Sequence, residues 1–193
     1  WETDGFPKCF NTLFEDDFFD GYLAPSYWGC HKLMEKTTKP VFYYPHFVDF
    51  NSFHLVDIGM KEKEKKFTVL FVGQYTVRKG VKEAFISFVR SFSNNSDCEL
   101  ILKISRMSNY EIDPNLEFNS LLVSNTKSIK CTIKMIDESI SNEDLGRLYE
   151  LSSVLLFSTR GEGFGLPIAE AMLQGLPVIY ADWSACSEVG KSP

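Results

Sequence analysis

Two glutamates stand at positions 162 and 170 of the passage TRGEGFGLPIAEAMLQGLPVI, which runs from Thr159 to Ile179. Glu162 lies inside Gly161-Glu162-Gly163-Phe164-Gly165, and Glu170 follows about one turn into the helix that Pro167 opens. Glycines such as Gly163 and Gly165 let a backbone approach a ligand without a Cβ in the way. Pro167 suits position N1 of a helix, where its missing N–H would be unpaired anyway. The free N–H groups of the first turn, with the positive end of the helix dipole, favour an anion or a sugar hydroxyl oxygen. Two carboxylates beside such a place accept hydrogen bonds from hydroxyls, so a ligand carrying both phosphate and polyol groups fits the pattern. A second set is basic: Phe71-Val72-Gly73 is followed by Arg78-Lys79-Gly80, which puts two cations at a helix start beside a strand end. The plainer account is that glycines and prolines punctuate a tight loop, that Glu170 only supports the helix, and that Arg78 and Lys79 are solvated.

Composition removes several classes. The 193 residues are 44% hydrophobic and 24% charged, enough to bury a core. A net charge of −6 argues against a broad nucleic-acid surface. No apolar run approaches the roughly 20 residues needed to span a bilayer. The five cysteines, at positions 9, 30, 98, 131 and 186, form no CxxC pair, and His31, His46 and His54 are not spaced as ligands, so no metal is expected. Scattered thiols fit a reducing, cytoplasmic compartment. No GxGxxG follows any expected strand, which disfavours a dinucleotide oxidoreductase. The chain begins at Trp1 without an initiator methionine and stops at Lys191-Ser192-Pro193, and is read as an excerpt of a longer protein.

The elements that would hold these residues alternate. Residues 20–24 (DGYLA) and 40–44 (PVFYY) read as short strands around a helix that Ser26 caps and that runs to about Glu35. Residues 45–60 read as a connection, and KEKEKK at 61–66 as a solvated linker. Strands are expected at 67–72, 98–104, 131–136, 153–158 and 177–181. Apolar residues at Val81, Ala84, Phe85, Phe88 and Val89 have helical spacing. Leu145, Leu148, Tyr149 and Leu151 mark another helix, with Ser141 as N-cap and Asp144 at the capping-box position. A helix is expected over 167–175, and 108–129 reads as irregular with a helix somewhere inside. Strand–helix alternation at this spacing means βαβ units: an α/β chain with a Rossmann-like, doubly wound parallel sheet, whose ligands bind at the carboxyl ends of its strands.

Gly161 to Pro167, Glu170-Ala171-Met172 and Gly175 to Ile179 together closely resemble the Glu-x7-Glu signature of retaining glycosyltransferases of family 4, which have the two-domain GT-B fold. Phe71-Val72-Gly73 with Arg78-Lys79-Gly80 looks like that family's strand, glycine turn and basic helix start. Pro45-His46-Phe47-Val48-Asp49 looks like its "PHGVD" interdomain segment, and residues 20–26 like the end of its N-terminal domain. The resemblance covers nearly the whole chain. It implies a domain layout of 1–45 as the end of the acceptor-side domain, 46–66 as the interdomain connection and 67–193 as the nucleotide-sugar-binding domain. It implies transfer of a hexose from a nucleoside diphosphate sugar to a glycan, lipid or protein hydroxyl, with retention of configuration and no cofactor or metal. By the same resemblance, Glu162 would meet the donor sugar at the reacting centre. Amides around Gly163, Phe164, Gly165 and Leu166 would hold sugar hydroxyls and phosphate. Glu170 would accept from the ribose, and Lys79 with Arg78 would neutralise the diphosphate. Two residues depart from the pattern: Gln74 stands where arginine is common, leaving Arg78 to supply that charge or a weaker phosphate site, and Phe47 stands where the family has glycine and must avoid a positive φ. His46 could line the interdomain cleft, although a surface or structural role is the expectation, and Trp183 and the aromatics of 10–19 are assigned to packing. The remaining alternatives are a nucleotide-sugar epimerase of similar fold and a non-catalytic nucleotide-binding module. On this reading the fragment alone would be inactive, much of its acceptor site and any peripheral attachment to a membrane lying in a missing N-terminal part.

Overall fold

The computed structural model describes residues 10–15, 19–55, 66–105, 113–125 and 128–191. After a short helix α1 (Asn11–Glu15), which the sequence pattern does not announce, come β1 (Tyr22–Ala24), α2 (Tyr27–Met34) and β2 (Val41–Tyr43). β1 and β2 pair in parallel, Leu23 beside Phe42. Ser26 caps α2 as its sequence position implies, its Oγ accepting from Gly29 N at 3.0 Å. The aromatics of this end pack on one another: Phe14 and Phe19 both meet the Tyr22 ring, and Trp183 meets Trp28 edge-on.

The larger sheet consists of β3 (Phe67–Gln74), β4 (Cys98–Ser105), β5 (Thr132–Ile136), β6 (Val154–Phe157) and β7 (Val178–Tyr180). All neighbours are parallel, in the order β5-β4-β3-β6-β7. The crossovers are α3 (Val81–Phe92), α4 (Pro114–Asn125), α5 (Asn142–Leu151) and α6 (Leu166–Leu173), and α7 (Cys186–Val189) follows β7. Period-two alternation sends the strand residues to two cores. Val69 and Phe71 join Leu100, Leu102, Phe85 and Phe88 on one face, whereas Leu70 joins Ile101, Tyr149, Leu155, Phe157 and Ile168 on the other. Helices on both faces of a parallel sheet are the doubly wound arrangement.

The five spaced apolar residues of 81–89 are the buried face of α3. Ser141 caps α5, accepting from Asp144 N at 3.0 Å. The helix within 108–129 is α4; its only buried residues, Pro114 and Phe118, are too few to print a period on the sequence. The helix start near Pro167 moves back by one: Gly165, at φ 102°, is the N-cap, so α6 begins at Leu166 and Pro167 is its second residue, still among the positions whose N–H has no partner in the helix. Phe47 keeps clear of positive φ, which among described non-glycine residues is adopted by Ser184. Residues 61–65 of the charge run and Cys9 lie outside the described residues. The connection is docked through Phe53, which is buried beside the Tyr149 ring, with centroids 5.9 Å apart.

Candidate functional site

Strand order reverses between β3 and β6, because the chain leaves β3 toward β4 and β5 on one side and returns at β6 on the other. Loops leaving the carboxyl ends of such strands diverge and open a crevice. The loop after β3 carries Arg78 and Lys79, and the loop after β6 carries residues 159–165. The two are stapled together. Arg160 N donates to Arg78 O at 2.7 Å, and Ser158 Oγ donates to Gly80 O at 2.7 Å. Gly80 makes the contact possible: its φ is +69°, and a Cβ there would lie 2.1 Å from Ser158 O.

Glu162 is buried, and its Oε1 is the centre of the arrangement. Lys79 Nζ lies 2.6 Å from it, the Thr159 hydroxyl 2.9 Å and an Arg78 guanidinium nitrogen 3.3 Å. Arg78 also donates to Gly161 O at 2.8 Å, so its charge is fixed to the loop rather than free to swing. From behind, Ser184 Oγ accepts from Glu162 N at 3.1 Å. A carboxylate inside the protein is sustained by this pairing, since an isolated buried charge would be very costly. The nearby Cys186 thiol, buried and facing that negative charge, is pushed up to about 12 and stays protonated.

Glu162 and Lys79 are shared by two clefts. One, of about 480 Å³, is also lined by Gln74, Arg78, Lys103, Ser139 and Ile140. The other, of about 360 Å³, is bounded by Gly163, Phe164, Gly165, Leu166 and His46. His46 stands edge-on to Phe164, centroids 5.4 Å apart, so it is both exposed and part of the cleft wall. Glu170 is placed otherwise. It lines neither cleft, and its carboxylate accepts from the Tyr149 hydroxyl at 2.8 Å. Burial raises its pKa, and the Tyr149 hydrogen bond offsets part of that.

Of the residues singled out from the sequence, Glu162, Arg78, Lys79, Gly163, Phe164, Gly165 and Leu166 therefore meet around one crevice, and Glu170 lies one turn deeper. Ser184 and Lys103 carry no motif signal, and neither Thr159, at the head of the 159–179 passage, nor Tyr149, in the apolar spacing of α5, is marked for the contact it makes. The β4 sequence CELILKIS holds one hint, Lys103 directly after the apolar Leu100-Ile101-Leu102 and before Ile104.

The family profile described as glycosyl transferases group 1 matches residues 58–192. Over 54 residues the chain is 44% identical to the serotype-specific mannosyltransferase WbdA of Escherichia coli, a match covering 28% of this chain and only 7% of WbdA. HepE of Anabaena, solved in complex with UDP and glucose, superposes with a TM-score of 0.74 at 16% identity, over 95% of this chain and 51% of that one. The C-terminal domain of LpcC, a glycosyl transferase group 1 protein of Francisella tularensis, superposes with a TM-score of 0.57 at 17% identity, over 76% of this chain and 73% of that one. At those identities the superpositions speak for the fold, a Rossmann-like sheet of the kind that forms the C-terminal domain of GT-B glycosyltransferases. With the profile spanning both loops of the crevice, the chain belongs to the glycosyl transferases group 1 family.

Proposed function

We propose that this chain is the donor-binding part of a retaining hexosyltransferase, which moves a hexose from a nucleoside diphosphate sugar to a hydroxyl acceptor. The observation that carries the reading is the buried Glu162 carboxylate with Lys79 and Arg78 on it, at the point where two clefts meet. Residues 67–193 would be the nucleotide-sugar domain, 46–66 the connection, and 1–45 the end of the acceptor-side domain. Sugar transfer breaks the bond between the anomeric carbon and the diphosphate, joins that carbon to the acceptor oxygen and releases the hydroxyl proton. Negative charge grows on the departing diphosphate, and positive charge grows at the anomeric centre. Lys79 and Arg78 are held in place before reaction, so they stabilise the leaving charge without having to reorganise. Glu162, on the sugar side of them, complements the positive centre. The amides of Gly163 to Leu166 would hold sugar hydroxyls and phosphate oxygens, and Glu170 would accept from ribose hydroxyls. Two cations and a helix end suffice for the diphosphate, so no metal is assigned to the reaction. That HepE was solved with UDP and glucose supports a nucleotide-sugar donor here.

Glu162→Gln tests the reading in the full-length protein. Turnover at saturating donor should fall by about a hundred-fold or more, the usual cost of removing one preorganised electrostatic partner, and should be unaffected by EDTA. Undiminished turnover in the variant would remove Glu162 from the reaction.

A further inference from the structure

β4 is buried from Cys98 to Ile104, and in the midst of this run stands Lys103, only 9% exposed. It belongs to the same sheet face as Ile101, in register with Val72 on β3 and Ile136 on β5. Lysine is almost never buried without a partner. Lys103 forms no ion pair among the described residues; Asp137 and Glu138 act on it only as nearby charges. An ammonium has three donors, and Nζ spends one of them on Ile104 O at 3.1 Å. Lys103 lines the 480 Å³ cleft, as do Arg78, Lys79, Ser139 and Ile140.

We propose that Lys103 sets the nucleobase choice of the donor, donating to a ring carbonyl of uracil or guanine and discriminating against adenine. The proposal rests on the donor-site reading above and names what that reading leaves open. Position argues for the base rather than the phosphates. The Lys103 backbone pairs with Val72, two residues short of the β3 end, so the side chain leaves the sheet before the strand end from which the Arg78–Lys79 loop departs. The Asp137 and Glu138 charges beside it would repel a phosphate, whereas a neutral carbonyl meets the ammonium without that penalty. Adenine offers an amino donor where guanine and the keto pyrimidines offer oxygen. Two donors would then face each other in a buried place, and unmet buried donors are the strongest basis for rejecting an analogue.

Calorimetric binding of UDP, GDP and ADP to the wild type, Lys103→Met and Lys103→Gln tests this. The wild type should favour UDP or GDP over ADP by about ten-fold to a hundred-fold, the range of a charged hydrogen bond. Lys103→Met should bring the nucleotides to within roughly three-fold of one another, with the ratio taken inside one variant so that any general weakening cancels. Lys103→Gln keeps a donor and should retain part of the preference, and it serves as the measured variant if the methionine form does not fold. Equal weakening of UDP and ADP, or an unchanged ratio, overturns the proposal. A wild type that binds none of the three nucleotides fails the donor-site reading itself, and the proposal falls with it.

Discussion

Lys79→Ala removes the closer of two cations from a buried carboxylate, and the structure separates its consequences. Lys79 Nζ is 2.6 Å from Glu162 Oε1, with side chains only 12% and 8% exposed. Breaking a pair at such depth by deleting one partner costs about 3–5 kcal/mol, because the other charge is stranded. Here Thr159 at 2.9 Å and Arg78 at 3.3 Å remain on the same oxygen. The low end, about 3 kcal/mol, is therefore expected, which for a chain of this size is roughly 6–12 °C in melting temperature. Affinity for a nucleoside diphosphate should fall about ten-fold to a hundred-fold, and affinity for the nucleoside should barely change. Adding Glu162→Gln to Lys79→Ala removes the stranded charge. The double variant should recover most of the lost melting temperature and none of the lost diphosphate affinity. Thermal unfolding and calorimetry with UDP and uridine read both quantities on the same samples. A single variant that melts with the wild type refutes the buried-pair argument. Equal losses for UDP and uridine refute the phosphate contact. A double variant no more stable than the single shows that stranding the carboxylate is not the cause.

Glu170 gives a pH signature. Burial raises its pKa above the ordinary 4.5, so between 4.5 and the raised value the folded state holds more protons than the unfolded chain, and stability falls as pH rises through that window. Glu170→Gln lacks this loss, so its melting temperature should gain on the wild type as pH climbs from about 4 toward neutrality; a gap that stays constant or narrows contradicts the assignment. Glu170→Ala should lose most of the wild type's preference for ribonucleotides over 2′,3′-dideoxyribonucleotides, measured as a coupling cycle of residue against hydroxyls; a variant that melts lower yet keeps the full preference would leave Glu170 as a structural residue. Gly80→Ala places a methyl against Ser158 O at an unfavourable positive φ and should cost about 3 kcal/mol in unfolding experiments, with diphosphate affinity falling as the Arg78–Lys79 loop is displaced. A variant as stable as the wild type would show that the staple between the two loops is loose.

Elements whose burial is one-sided or continuous were legible in the chain's own pattern. The spacing of Val81, Ala84, Phe85, Phe88 and Val89 is the buried face of α3, and Ser26 and Ser141 cap helices where their positions say they should. These are local properties: periodicity records which face is covered, and a cap satisfies amides two or three residues away. The GEGFGLP passage likewise announced a tight loop opening a helix, because its glycines and proline constrain their own backbone. Where burial is slight, as along α4, the sequence printed little. Which distant residues meet was set by the fold. Lys79 and Glu162 are joined by the β5-β4-β3-β6-β7 strand order, which sets their loops side by side across the switch point. Thr159 and Ser184 hold Glu162, Tyr149 takes Glu170, and Lys103 stands inside the cleft, and no local pattern marks any of them for these contacts. A hydrogen bond or ion pair between distant segments leaves no period in either one. It exists because the sheet's topology brings the segments together, and the burial that follows gives each charge there its cost and its use.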